Sequence, residues 1–80
     1  MRKSTQSITP KYLQIYEWLH SLIQRKRIRV GEMLPPETEL ANRFGVNRMT
    51  VRRALNKMVV EGMIVRKQGK GTFLLTDSPR

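Results

Sequence analysis

The sequence predicts a mainly α domain in which three short helices are closed off by a small two-stranded β-hairpin. Three observations lead there. Apolar residues recur at helical spacing in three separate stretches before residue 61. Pro35-Pro36 precedes the second stretch, and Gly45 and Gly62 follow the second and third, where helices open and close. From Met63 to Leu75, β-branched and aromatic residues lie on either side of Gly69-Lys70-Gly71, the pattern of a hairpin.

Residues 1–9 show no periodicity and read as a flexible N-terminal arm, with Arg2 and Lys3 on a frayed end rather than on a partner. Helix one opens at Thr9-Pro10, with Thr9 as N-cap and Pro10 in the first helical position. Tyr12, Ile15, Tyr16, Leu19, Leu22 and Ile23 then form one apolar stripe. Trp18, at its edge, reads as cover for one side of the core rather than a base-stacking platform. His20 has no cysteine or second histidine to share a metal with, so it reads as a surface residue. The basic run Arg25, Lys26, Arg27, Arg29 suits a helix C-terminus, where cations complement the macrodipole. Val30-Gly31-Glu32 is a turn, and Met33-Leu34 is long enough only for a minimal third strand.

Helix two is expected from Glu37 to Phe44. Leu40, Ala41 and Phe44 face inward, and Glu37 and Glu39 sit in the first turn, where negative charge is favourable. Gly45 is its left-handed cap, Val46 plugs the corner, and Asn47 caps helix three. Helix three runs from Arg48 to about Glu61. Val51, Ala54, Leu55 and Met58 share one arc of roughly 100° toward the core. Met49, Arg52, Arg53 and Asn56 share the opposite arc, with Thr50 and Lys57 flanking and Arg48 at the N-terminal end. Its arginines have no acidic partner at i±4, so ion pairing is not the expected use of them. The hairpin's turn is expected at Gln68-Gly69-Lys70-Gly71. Residues 10–75 make the domain, and 76–80 the start of a linker.

Sixteen Lys and Arg against six Asp and Glu leave a net charge of +10. That excess points to a polyanionic partner. Between Leu40 and Leu75 there are eight Lys and Arg and one acid, Glu61. There is no cysteine and no long apolar run, which excludes a disulfide framework, a thiolate metal site and a membrane span. With one histidine and no pair of acids at catalytic spacing, the chain reads as neither an enzyme nor a metal or cofactor binder. Gly69-Lys70-Gly71 joins two strands instead of opening a helix, so it is not a nucleotide cradle.

Two helices joined at a glycine corner, with a basic hairpin beyond, make a winged helix-turn-helix. The chain resembles the DNA-binding domain of the GntR family, and its HutC-like branch in particular. The matching residues are Leu34-Pro35-Pro36-Glu37, Glu39-Leu40-Ala41, Phe44-Gly45-Val46-Asn47-Arg48, Thr50-Val51-Arg52, Ala54-Leu55, Glu61-Gly62 and Gln68-Gly69-Lys70-Gly71-Thr72-Phe73. The resemblance spans Tyr12 to about Leu75. It implies a bacterial regulator, usually a repressor, acting as a homodimer on a pseudo-palindromic operator at the cytoplasmic nucleoid. An isolated domain of this kind is expected to be monomeric off DNA, with the effector bound by a separate C-terminal domain.

By position, Arg48 and Arg52 match the family's base-reading arginines and Thr50 a phosphate-contacting hydroxyl. Gly69 matches the wing tip that enters the minor groove. Thr38 stands where many members carry a DNA-contacting arginine; it can reach a phosphate but brings no cation. The expected contact set is therefore Thr38, Arg48, Met49, Thr50, Arg52, Arg53, Asn56 and the wing residues Lys67, Gln68, Gly69, Lys70, Gly71 and Thr72. Asn56 is open to two readings, an adenine contact or simple solvation. A winged-helix module for RNA or a protein partner is the rival reading. Against a protein partner, Met49 is the only apolar residue on the outward arc.

Overall fold

The computed structural model describes residues 9–78. Three helices, α1 (Lys11–Gln24), α2 (Glu37–Phe44) and α3 (Arg48–Val60), precede an antiparallel pair, β1 (Ile64–Lys67) and β2 (Gly71–Leu74). The expected arm lies outside the described residues, apart from Thr9.

The opening of α1 is displaced by one residue from the expected one. Pro10 itself occupies the cap position, with φ −57° and an extended ψ of 146°. Its ring has no oxygen to offer, so its carbonyl accepts the N–H groups of Leu13 and Gln14 instead. The Gln14 side chain donates back to the Thr9 carbonyl at 2.9 Å. At the other end, the N–H groups of Lys26 and Arg27 donate to the carbonyls of Ile23 and Leu22, at 3.1 and 2.8 Å. This closure needs a left-handed residue, and Lys26 supplies it at φ 63°. The basic run therefore lies past the helix, and no cation stands in the last turn of α1. The macrodipole account of those four residues is replaced by an exposed loop, pinned through buried Ile28.

The minimal third strand reduces to one bridge, Met33 to Phe73. Around it, Gly31 N–H donates to Leu74 O, Leu74 N–H to Glu32 O and Leu34 N–H to Thr72 O, at 2.8, 2.9 and 2.8 Å. These bonds fasten the loop along β2. In the wing, Ile64 pairs with Leu74, Val65 with Phe73, Arg66 with Thr72 and Lys67 with Gly71. Gly71, expected in the turn, thus belongs to the strand, and Gln68-Gly69-Lys70 make the tip. At φ 133° position 71 favours glycine, and a Cβ there would also push aside the Met33 side chain, whose sulfur would lie 2.9 Å from it.

The core is centred on α3, which α1 and α2 both pack against and whose C-terminal end meets β1. Val51, Ala54, Leu55 and Met58 are buried together with Ile15, Leu19 and Ile23 of α1 and Leu40 and Ala41 of α2. Met63, Ile64, Leu74 and Leu34 extend this core to the base of the wing. Each large aliphatic side chain so buried contributes roughly 1.5–3 kcal/mol. Among the described residues, none of the buried ones is polar or charged. Trp18 covers the flank as expected, edge-on to Phe44 at 5.6 Å with the Arg43 guanidinium over its ring at 4.5 Å. His20 is half-buried beside Tyr16, 5.6 Å between ring centroids, rather than on open surface. The start of the expected linker is tied back: Thr76 N–H donates to Met63 O, and Asp77 pairs with Lys26 at 3.3 Å. No helix among the described residues is long and apolar enough to cross a membrane.

Candidate nucleic-acid interface

The second helix of the pair is held in place from both ends. Gly45, at φ 66° and ψ 39°, turns the chain out of α2, and Val46 N–H returns to the Ala41 carbonyl at 3.0 Å. Asn47 Oδ1 then accepts the Thr50 N–H at 3.0 Å, closing the N-terminus of α3. With Val51, Ala54, Leu55 and Met58 facing the core, Met49, Arg52, Arg53 and Asn56 are left exposed on the far side.

The thirteen residues expected to contact a ligand line two neighbouring hollows. Thr38 and Arg48 share a groove with the wing residues Lys67, Gln68, Gly69, Lys70, Gly71 and Thr72. Met49, Thr50, Arg52, Arg53 and Asn56 line a shallow depression on the outward side of α3. Polar contacts join the two hollows. Glu37, at the start of α2, receives Arg52 side-on: Nη2 is 3.1 Å from Oε1, and Nε is 3.4 Å from Oε2. Arg48 Nη2 lies 3.5 Å from the same Oε1. Arg66, on β1, lies 4.0 Å from Oε2 through Nη2 and donates through Nη1 to Asn56 Oδ1 at 2.7 Å. The bond from Arg52 holds the Glu37 carboxyl below its ordinary carboxylate pKa, against the opposing effect of burial. The same bond raises Arg52.

This overturns one expectation and narrows another. Arg48 and Arg52 are ion-paired, because folding supplies an acid from the preceding helix that the i±4 positions lack. Of the two readings of Asn56, simple solvation gives way: its oxygen accepts from Arg66, and its amide N–H groups remain for another partner. Three further side chains are placed more narrowly than expected. The Arg53 guanidinium lies over the Tyr12 ring at 4.1 Å, anchored to α1. The Thr50 hydroxyl donates to Asn47 Oδ1 at 3.1 Å, so it offers a phosphate no proton in this rotamer. Lys67 Nζ rests 5.3 Å from the Phe73 ring centroid, cation over aromatic face. Gln68, Gly69 and Lys70 are exposed at the tip.

Glu37 and Arg66 belong to this surface and are absent from the expected contact set. Arg66 carried a signal: it follows the apolar pair Ile64-Val65 on a strand that leads into a basic turn. Glu37 carried none beyond its first-turn position, which its helix already explains.

The surface is basic and continuous from α3 to the wing, an arrangement suited to a polyanionic partner. The family described as "Bacterial regulatory proteins, gntR family" matches residues 11–74. The chain is 43% identical over 74 residues to the HTH-type transcriptional repressor NagR of Bacillus subtilis (strain 168), covering 92% of this chain and 30% of that protein. It is 39% identical over 71 residues to the arabinose metabolism transcriptional repressor of Geobacillus stearothermophilus, covering 89% and 20% respectively. The chain thus spans less than a third of the length of these relatives. The fold matches the AraR DNA-binding domain solved in complex with operator ORR3, with a TM-score of 0.81 and 39% identity over 84% of this chain and 81% of that one. The chain belongs to the GntR family of bacterial regulatory proteins, and its fold is that family's winged helix-turn-helix.

Proposed function

We propose that this chain is the sequence-specific DNA-binding part of an effector-controlled transcriptional repressor that acts as a homodimer on a pseudo-palindromic operator at the bacterial nucleoid. The observation that carries the reading is the outward face of α3, capped at its N-terminus, without an acid of its own, and set beside a basic wing. Its support is that AraR's domain, of the same fold, was solved on operators, and that NagR and the arabinose regulator are named repressors.

In this reading α3 enters the major groove. Arg48 and Arg52 address guanine O6 and N7, each bidentate pair being worth roughly 1–3 kcal/mol of discrimination. Asn56 turns its amide N–H groups to a base edge. Thr38, Thr72 and Lys67 hold phosphates and set register, and Thr50 joins them once its hydroxyl turns away from Asn47. Gln68, Gly69, Lys70 and Gly71 carry the wing to the minor groove, where negative potential attracts the lysine. Met49, largely exposed, offers a methyl contact to thymine. Arg53, held on Tyr12, serves the backbone rather than the bases. One domain binds a half-site weakly, and pairing on DNA raises the effective concentration of the second. The effector binds another part of the regulator.

Selection of bound duplexes from a random DNA pool at physiological salt, with duplex RNA as control, tests this. The expected result is an inverted repeat, with specific binding by Arg52→Ala reduced roughly 10- to 100-fold and non-specific binding changed much less. Equal retention of all duplexes, or preference for RNA, removes the reading.

A further inference from the structure

Among the described residues Glu37 is the one carboxylate on an otherwise cationic surface, and its own charge opposes the attraction of that surface for DNA. Its side chain is 20% exposed and meets guanidinium groups from two elements, Arg48 and Arg52 of α3 and Arg66 of the wing. A group needed only to start α2 would not require those partners: Glu39 stands in the same first turn without an ion pair among the described residues, and either carboxylate serves the helix dipole.

We infer that Glu37 is a specificity-determining positioning residue, which holds Arg52, and with it Arg48, in the orientation that reads bases and withholds them from the phosphate backbone. The inference rests on the base-reading role proposed above for these arginines. The argument is one of donor geometry. A guanidinium has five N–H donors and two edges that each fit a pair of acceptors. Glu37 takes the edge of Arg52 formed by Nε and Nη2, at 3.4 and 3.1 Å. The edge formed by Nη1 and the outer proton of Nη2 stays open and points away from the carboxylate, as a bidentate guanine contact requires. Ordering this long side chain before DNA arrives also removes a conformational cost from the specific complex. A phosphate, which any sequence presents, must draw Arg52 off Glu37 to claim the inner edge, and can use the outer edge only where the carboxylate has aimed it. A guanine uses the outer edge and displaces nothing. The carboxylate therefore penalises non-specific contacts more than specific ones. Arg66 joins the device from the wing: through Glu37 and Asn56 it couples wing position to the reading helix.

The test compares binding of the duplex best selected by the unaltered chain with binding of a scrambled duplex, for Glu37→Gln, Arg52→Ala and the double variant. Glutamine keeps the shape and removes the charge; circular dichroism and thermal unfolding confirm that each variant is folded at the assay temperature. The expected result is a rise in scrambled-duplex affinity for Glu37→Gln and a fall in the specific-to-scrambled ratio of about tenfold, the lower part of what one arginine–guanine pair supplies. In the Arg52→Ala background the same change should move the ratio much less. A helix-starting role alone would shift the unfolding temperature and leave the ratio intact. Were Arg52→Ala to lose specificity while Glu37→Gln kept the ratio, or changed it equally in both backgrounds, the positioning role would be overturned and base reading would stand. Were Arg52→Ala itself to leave the ratio unchanged, base reading and the inference would fall together.

Discussion

Asn47 and Lys26 show how far single side chains decide where this chain turns. The oxygen of Asn47 accepts both the backbone N–H and the hydroxyl of Thr50, so the presented helix starts at one defined residue. Lys26 does the converse for α1, ending it in a left-handed conformation at φ 63°. An L-residue there costs roughly 1–2 kcal/mol. Glycine would remove that cost while losing more conformational freedom on folding, roughly 0.5–1 kcal/mol. The exposed ion pair to Asp77 that would be lost contributes little. Lys26→Gly is therefore expected to stabilise the domain by up to about 1 kcal/mol, read as a higher urea midpoint at unchanged m. A lower midpoint would show that the contact with Asp77 matters more than the strain. At this scale α3's cap was legible in Asn47, because capping is local. Lys26 was not, since nothing in a lysine announces a left-handed backbone.

Between elements, the seam of α1 and α3 is sealed on its wet side by Tyr16, Lys57 and Glu61. The Tyr16 hydroxyl donates to Glu61 Oε1 at 2.7 Å. Lys57 Nζ is 3.5 Å from Glu61 Oε2 and 5.1 Å from the Tyr16 ring centroid. Glu61 stands at the C-cap of α3, where the dipole disfavours an anion, and these two partners offset that. Burial first, then the hydrogen bond and the charge of Glu61, push the Tyr16 hydroxyl from 10.0 up to about 12. A raised pKa in the folded state means the contribution is complete below pH 10 and is lost as pH rises to about 12. The stability difference between the unaltered chain and Tyr16→Phe should therefore shrink across that window, measured by urea unfolding at several pH values. A constant difference would mean that Tyr16 acts by packing alone. At the scale of elements, the period of the apolar stripes placed α2 and α3 well, because helix geometry is repetitive. The third strand shrank to the Met33–Phe73 bridge, because pairing depends on a partner distant in sequence.

Over the whole molecule, a +10 charge on 80 residues is arranged with its working face along α3 and the wing, and a second basic loop, Arg25 to Arg29, past the end of α1. Tyr12 lies under Arg53, while Tyr16 reaches Lys57 and Glu61, so α1 and α3 run in the same direction and that loop lies beyond the C-terminal end of α3. Only the first surface meets the wing tip. Neutralising a tip cation should thus alter DNA binding in a countable way. Lys70→Gln is expected to lower the magnitude of the slope of log K against log salt by about 0.9, one phosphate's worth of released counterions, with little change in sequence preference. An unchanged slope would take Lys70 out of the contact set.

Neighbours a few residues away dictate the two helices joined at Gly45, the cap at Asn47, the arc that carries Arg52 outward, and the β-branched and aromatic residues behind the wing. The motifs between Leu34 and Phe73 added the family, since their order and spacing are carried by the chain itself. The partners those side chains meet come from the packing of one element on another. Glu37 reaches Arg48, Arg52 and Arg66, Asn56 accepts Arg66, and Arg53 rests on Tyr12. Each of these meetings joins different elements. Periodicity fixes the direction in which a side chain leaves its helix, but the packing angle between helices decides what it finds there.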